Sequence, residues 1–348
     1  MNRRSFIERI ALLMGGFFSL PAIGNHALTI RKKAITKSNE FVFAAICSAA
    51  RYEQLKEMLK PSSNIRLVRY SPARTIRQKV SAAWIEWGYR HRQKHIIRLL
   101  TAGIPVLLEA PYNEELSAFD TLQRKASSVA VLAGIAHYHR FLPASHTARE
   151  LLLSGRIGKI TAVQIQINQP EGDPLLSCYS YLPEAPLLIV INLMQWLLSQ
   201  PLLAIRVNKK ETTVPEFAIS RGIIIGAMED FPVRIATIPD FYDKNGAWSI
   251  LFIGEKGQVR LGANNLLEII DQSGRWQKLS KEDPNRSYLS VRMCFEDFAL
   301  AVKEGRQPEG KTTDMFPDSL LLNGIHQSLQ SGKGEILVEH PFGKAIRL

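Results

Sequence analysis

The stretch FVFAAICSAARYEQLKEML, residues 41–59, constrains the fold more than any other part of the chain. Phe41–Ile46 is an unbroken apolar run, as in a buried strand, whereas the later apolar positions Tyr52, Leu55, Met58 and Leu59 follow helical spacing. Only residues 47–50 separate the two, so a strand feeds a helix through a tight turn of small residues. Nucleotide-binding folds hold a diphosphate at such a turn, usually with glycines that allow positive φ and close backbone approach. This turn has none. The stretch therefore poses a choice between a phosphate loop, a lost phosphate loop and an ordinary turn.

Downstream, the same alternation continues. Strands are expected over residues 65–70, 82–87, 105–111 and 129–138, and helices over 52–60, 73–80, 92–102 and 114–126. Gly103 caps the helix over 92–102. Strands and helices taking turns at this spacing imply right-handed crossovers and a parallel sheet covered on both faces. The character changes near residue 143. A helix over 147–153 precedes period-two runs at 158–168, 201–207, 217–228, 233–238, 248–254, 257–263 and 266–271. With turn residues between them, these runs imply an antiparallel sheet, closed by helices over 289–304 and 318–329 and a last strand at 335–339. The 348 residues suffice for two cores.

The first residues read as a leader. Arg3, Arg4 and Arg9 precede an apolar stretch over 10–23, and small residues follow at Ala22, Gly24 and Ala27. The adjacent arginines in NRRSFI resemble the twin-arginine export signal, from which Asn2 and Glu8 depart. The expected organisation is a signal over 1–27, a linker over 28–39, a Rossmann-like domain over 40–142 and an α+β sheet domain over 143–348. Export to the periplasm follows, with no membrane span after the leader is removed.

Formal charge is +12, and removing the leader's three arginines and one glutamate leaves +10. Nine basic residues lie between Arg66 and Arg98 against one acid, Glu86. The chain carries no nucleic-acid-binding motif, so this segment reads as a solvated basic face rather than a nucleic-acid site. Three cysteines, Cys47, Cys178 and Cys294, are too few and too dispersed for a disulfide framework or metal cluster. His137 and His139 suit one face of a strand, and no metal is assigned to them.

VLLEAP at 106–111, HRFLPASHTARELLLSGRIGKITAVQIQI at 139–167, WSILFIGEKGQVRL at 248–261, FEDFALAVKEGRQP at 295–308 and HQSLQSGKGEILV at 326–338 stand in a recognisable order. Together they resemble the glucose-fructose oxidoreductase / inositol dehydrogenase (Gfo/Idh/MocA) family. The resemblance implies a dinucleotide-binding domain followed by a large mixed or antiparallel sheet domain. It also implies NAD or NADP as cofactor and a sugar, inositol or polyol derivative as substrate. Hydride transfer from a carbinol carbon needs a base for the hydroxyl proton and a group to hold developing charge.

The residues the family uses for this are missing. Its Glu-Lys-Pro motif reads Glu109-Ala110-Pro111. Its acid and histidine positions fall near Ala185, Ile189 and Asn192, in a segment, 185–201, without His, Asp or Glu. Asn192 is able to hydrogen-bond a hydroxyl but not to act as a base. The glycines of its phosphate loop correspond to Cys47, Ala49 and about Tyr52, with Ser48 between the first two. The acid expected after the second strand is replaced by the Arg69-Tyr70-Ser71 region, with Arg74 nearby, a set suited to an NADP phosphate. Glu109 and Asn192 are thus catalytic remnants, Cys47, Ser48, Ala49, Tyr70, Ser71 and Arg74 a degenerate cofactor set, and His139 and Arg140 substrate-side candidates. A thiol at a helix N-terminus, as at Cys47, is also a candidate reactive thiolate.

Two readings follow. One is a Gfo/Idh/MocA-type scaffold without hydride chemistry, a pseudoenzyme acting as an exported binding or partner subunit. It would self-associate or pair with an active relative through the C-terminal sheet, and would take a sugar-like small molecule if it takes one. The other is a divergent NAD(P)-dependent oxidoreductase.

Overall fold

The structure is a computed structural model that describes residues 40–60, 64–70, 80–86, 88–110, 116–167, 185–209, 222–228, 230–237, 247–270, 274–280, 286–311, 315–333 and 335–336. All fall within one compact unit, Ser38–Leu348. The expected leader, the linker, Pro111, Cys178, Ser71, Arg74 and most of the helix expected over 73–80 lie outside the described residues.

The first sheet comprises β1 (Phe41–Ile46), β2 (Ile65–Arg69), β3 (Ala82–Ile85), β4 (Val106–Glu109) and β5 (Ala133–Ala136). All are parallel, in the order β2-β1-β3-β4-β5. Every residue of β3, β4 and β5 is buried, which explains why these strands read as continuous apolar runs rather than alternations. On one face α1 (Ala49–Leu59) and α6 (Arg286–Glu304) pack Leu55, Phe295 and Phe298 against Phe43 and Trp84. On the other, α2 (Arg92–Thr101) and α3 (Leu116–Val129) cover Ala44, Ile46, Ile85 and Leu108 with Ile96, Leu99 and Leu122. The chain runs from β1 towards β2 on one side and from β3 towards β4 on the other. The sheet's topological switch point therefore lies between β1 and β3, where folds of this kind open a crevice beyond the strand ends.

A 3₁₀ turn (Tyr138–Phe141) and α4 (Pro143–Leu153) lead into the second sheet. Gly155, at φ 69°, ends α4 in the left-handed conformation, and the Arg156 N–H closes back on the Leu151 carbonyl. The sheet contains β6 (Ile160–Ile167), β7 (Ala204–Lys209), β8 (Gly222–Ala227), β9 (Pro232–Thr237), β10 (Trp248–Gly254), β11 (Gly257–Gly262), β12 (Leu266–Ile270), β13 (Trp276–Lys278) and β14 (Glu335–Ile336). Its order is β13-β12-β11-β10-β6-β9-β8-β7-β14. The pairing of β6 with β9 is parallel and the rest are antiparallel, so the sheet is mainly antiparallel, as the period-two runs implied. α5 (Ala185–Leu198) lies between β6 and β7 in sequence and makes the crossover that returns the chain to the sheet. Val163, Ile165 and Ile167 of β6 face the core beneath α4, α5 and α7 (Met315–Ser331), while Gln164 is exposed on the other face.

The strand expected to run on to residue 138 stops at Ala136. His137 follows it, and His139 sits in the 3₁₀ turn, so the two histidines do not share a strand face.

Candidate functional site

The turn after β1 is closed by the chain's own atoms. Ser48 caps α1: its hydroxyl accepts from the Arg51 N–H at 3.3 Å. Glu86 follows β3 directly, on the opposite side of the switch point. Its carboxylate accepts from the Ser48 N–H at 2.7 Å and from the Ser48 hydroxyl at 3.3 Å. A carboxylate at a helix N-terminus is favoured by the orphan amides and by the macrodipole, for the same reasons that a phosphate is.

Deeper in the crevice lies an ion pair that the sequence reading did not anticipate. Arg51, from the first turn of α1, turns inward, and its Nη2 donates to Glu109 Oε1 at the end of β4. Both groups are buried, Arg51 at 6% exposure and Glu109 at 1%. The guanidinium lies 5.9 Å from the centre of the Trp84 ring, and Arg92 donates to the Glu109 carbonyl. Arg51 thus spans the carboxyl ends of β1, β3 and β4. Glu109, expected from the sequence as a catalytic remnant, is tied into a buried charge network.

The other expected cofactor residues are placed as follows. Tyr52 lies against β2, with its hydroxyl donating to the Leu67 carbonyl at 3.3 Å, and Arg69 stacks over its ring at 5.3 Å. Tyr70 packs edge-on to His95 at 5.4 Å, and Tyr89 meets the same imidazole at 5.7 Å. Ala49 is exposed on the first turn of α1. Cys47 is half-buried, and its thiol is pushed up to about 12 by burial first and then by the Glu86 and Glu109 carboxylates, against the opposing pull of Arg51 and Arg69. This corrects the reactive-thiolate expectation: the two carboxylates and burial outweigh the helix N-terminus.

The substrate-side candidates meet at a second place, between β5 and α5. Arg140 donates through Nε and Nη2 to Asn192 Oδ1, at 3.2 and 2.7 Å, and through Nη1 to the Glu309 carbonyl at 3.4 Å. Asn192 is 4% exposed in the middle of a helix apolar on all sides. His139 is buried, edge-on to Trp248 at 5.6 Å. With Ala110, Ala136, Ile189 and Leu193, these residues and His137 line a cavity of about 10 Å³, roughly the space one water requires. His137 is buried with no hydrogen-bond partner for Nε2 among the described residues, and burial, reinforced by Arg140 and His139, holds its pKa well below the ordinary imidazole value. Among the described residues no cluster of three or more His, Cys, Asp or Glu is arranged to hold a metal ion.

No protein-family profile matches the sequence, and no curated protein does. Solved structures match closely in shape. An oxidoreductase from Agrobacterium radiobacter, solved with NAD+, L-tartaric acid and magnesium, superposes with a TM-score of 0.72 at 12% identity, over 86% of this chain and 98% of that one. The chain has the Gfo/Idh/MocA oxidoreductase fold. The aldose-aldose oxidoreductase of Caulobacter crescentus agrees, at TM-score 0.70 and 13% identity over 85% and 99% of the two chains. So does the myo-inositol 2-dehydrogenase of Lactobacillus plantarum, at 0.68 and 18% over 85% and 99%. This likeness is one of architecture, and what the Gfo/Idh/MocA fold does in this chain depends on the residues described above.

Proposed function

We propose that this chain is a Gfo/Idh/MocA-type scaffold without the hydride-transfer chemistry of its structural neighbours, acting as an exported binding or partner subunit. The observation that carries the reading is the Ser48–Glu86 contact at the switch point. It engages the backbone N–H that the fold offers a diphosphate, and it puts a negative charge where the diphosphate's own charge would have to lie. Cys47 and Ala49 add Cβ atoms where bare backbone is needed. These residues do not fit a dinucleotide, and no chemical step is assigned to one.

The catalytic side supports the same reading. Ala110 replaces the lysine, residues 185–201 contain no acid or histidine, and Asn192 is committed to Arg140. Export rests on the leader's twin arginines. Partnership through the second sheet rests on the face that no helix covers among the described residues, where partly buried Leu251, Ile253 and Ile270 lie among polar residues and Trp276 is 39% exposed.

The test is a fluorescence titration of the mature chain with NADH and with NADPH. The proposal expects silence into the millimolar range. Micromolar binding of either would overturn it in favour of a divergent NAD(P)-dependent oxidoreductase.

A further inference from the structure

The amino-terminal end of α2 is built against its own electrostatics. Helix N-termini favour anions, yet the first turn of α2 contains no acid and its N-cap makes no side-chain hydrogen bond. Arg90 and His91 precede the helix, Lys94 lies in its first turn and Arg98 one turn on. All four are exposed. None makes an ion pair among the described residues, and the sequence has no Asp or Glu from residue 88 to 108. From His91 to Arg98 the row runs along about 10 Å of helix. Its field reaches inward: after burial, Arg98, His91 and Lys94 are what lower the pKa of His95.

We propose that this face of α2 docks a carboxylate-rich segment of a partner protein. The proposal rests on the partner-subunit reading above and gives that partner a chemistry. Among the described residues of this face, Arg90, Lys94 and Arg98 are the permanent cations. That is fewer than the cluster of about four to eight that recruits an anionic lipid surface. It is also fewer than the roughly six to ten phosphate contacts of a typical DNA binder. Three cations beside the half-buried rings of Tyr89 and His95 instead match a small protein contact, where arginine and aromatic residues are enriched. A second copy of this chain would bring the same charges and be repelled.

The test uses the mature full chain and a fluorescent Glu-rich helical peptide, read by anisotropy at low and high salt. Charge reversal at the face, R90E/K94E/R98E, is compared with the same number of reversals elsewhere, R156E/K256E/R275E. Glutamates at positions 90 and 94 suit the dipole of the α2 N-terminus while R98E, in the last turn, opposes it, so circular dichroism checks that the first variant keeps its fold. The expected result is salt-sensitive binding that weakens about tenfold in the α2 variant and little in the control. No peptide binding, equal weakening in both variants, or face-dependent capture of anionic vesicles or duplex DNA in preference to the peptide would overturn the proposal. NAD(P)H silence together with any of these results removes the docking face alone and leaves the scaffold reading standing.

Discussion

The Ser48 backbone N–H donates to a Glu86 carboxylate oxygen at 2.7 Å, joining the ends of β1 and β3 across the fold's ligand crevice. Beneath that contact the Arg51–Glu109 pair fills the strand ends with buried charge. The chain's own groups therefore pair across the crevice.

Removing Glu86 should uncover an anion site. Both Ser48 and Glu86 reach solvent, so Glu86→Ala is expected to cost no more than about 1 kcal/mol. The freed Ser48 N–H should give the variant weak, salt-dependent pyrophosphate binding that the parent chain lacks. Phosphorus NMR titration of the two proteins checks this.

Arg51→Ala takes from Glu109 one cation in a buried setting. A loss of about 3–5 kcal/mol is expected, read as a fall in the urea midpoint. Replacing both partners with apolar residues of similar volume, Arg51→Met with Glu109→Leu, should recover much of it, because the cost lies in stranding one charge rather than in lacking the pair.

Cys47 should be a poor nucleophile. With the thiol near 12, only about one molecule in ten thousand is thiolate at pH 8, so a thiol-specific reagent should modify it far more slowly than a free cysteine. Glu86→Gln, by removing one of the raising charges, should speed the reaction modestly.

His137 predicts acid sensitivity. Its folded pKa lies well below the unfolded value of about 6.5, so below that pH the unfolded state binds a proton that the folded state refuses. Stability should hold above pH 7 and fall as pH drops through 6.5 and below, by up to about 1.4 kcal/mol per unit from this group. His137→Phe should flatten that part of the profile, measured as urea midpoints from pH 7.5 to 5.

Gly310 sits where no side chain fits. A Cβ there would lie 1.8 Å from the Ile135 carbonyl oxygen, while the Ile135 N–H donates to the Gly310 carbonyl at 2.9 Å, tying the segment after α6 to β5. Gly310→Ala should cost about 3 kcal/mol or more, visible in thermal unfolding.

Much of this architecture is legible in the sequence because it is written in local periods. The apolar run at Phe41–Ile46, the helical spacing after it and the glycine stop at Gly103 each act over a few residues. The missing lysine, acids and glycines were visible too, since absences need only a position. What replaced them was not. Glu86 stands 38 residues from Ser48, and the parallel pairing of β1 with β3 brings them together. In sequence it was one acid in a basic stretch. Arg51 looked like any arginine in a basic protein, because nothing local distinguishes one turned inward by a carboxylate 58 residues away. Which strands pair, β6 with β9 among them, is hidden for a similar reason: alternation reveals a strand's faces but not its partner.

The account turns on what occupies the crevice between β1 and β3, and a crystal of the mature chain grown with excess NADPH tests it most directly. The prediction is a Glu86 carboxylate still seated on the Ser48 N–H, with no diphosphate density over residues 47–50. A coenzyme diphosphate lying on that turn, with Glu86 swung aside, would contradict it.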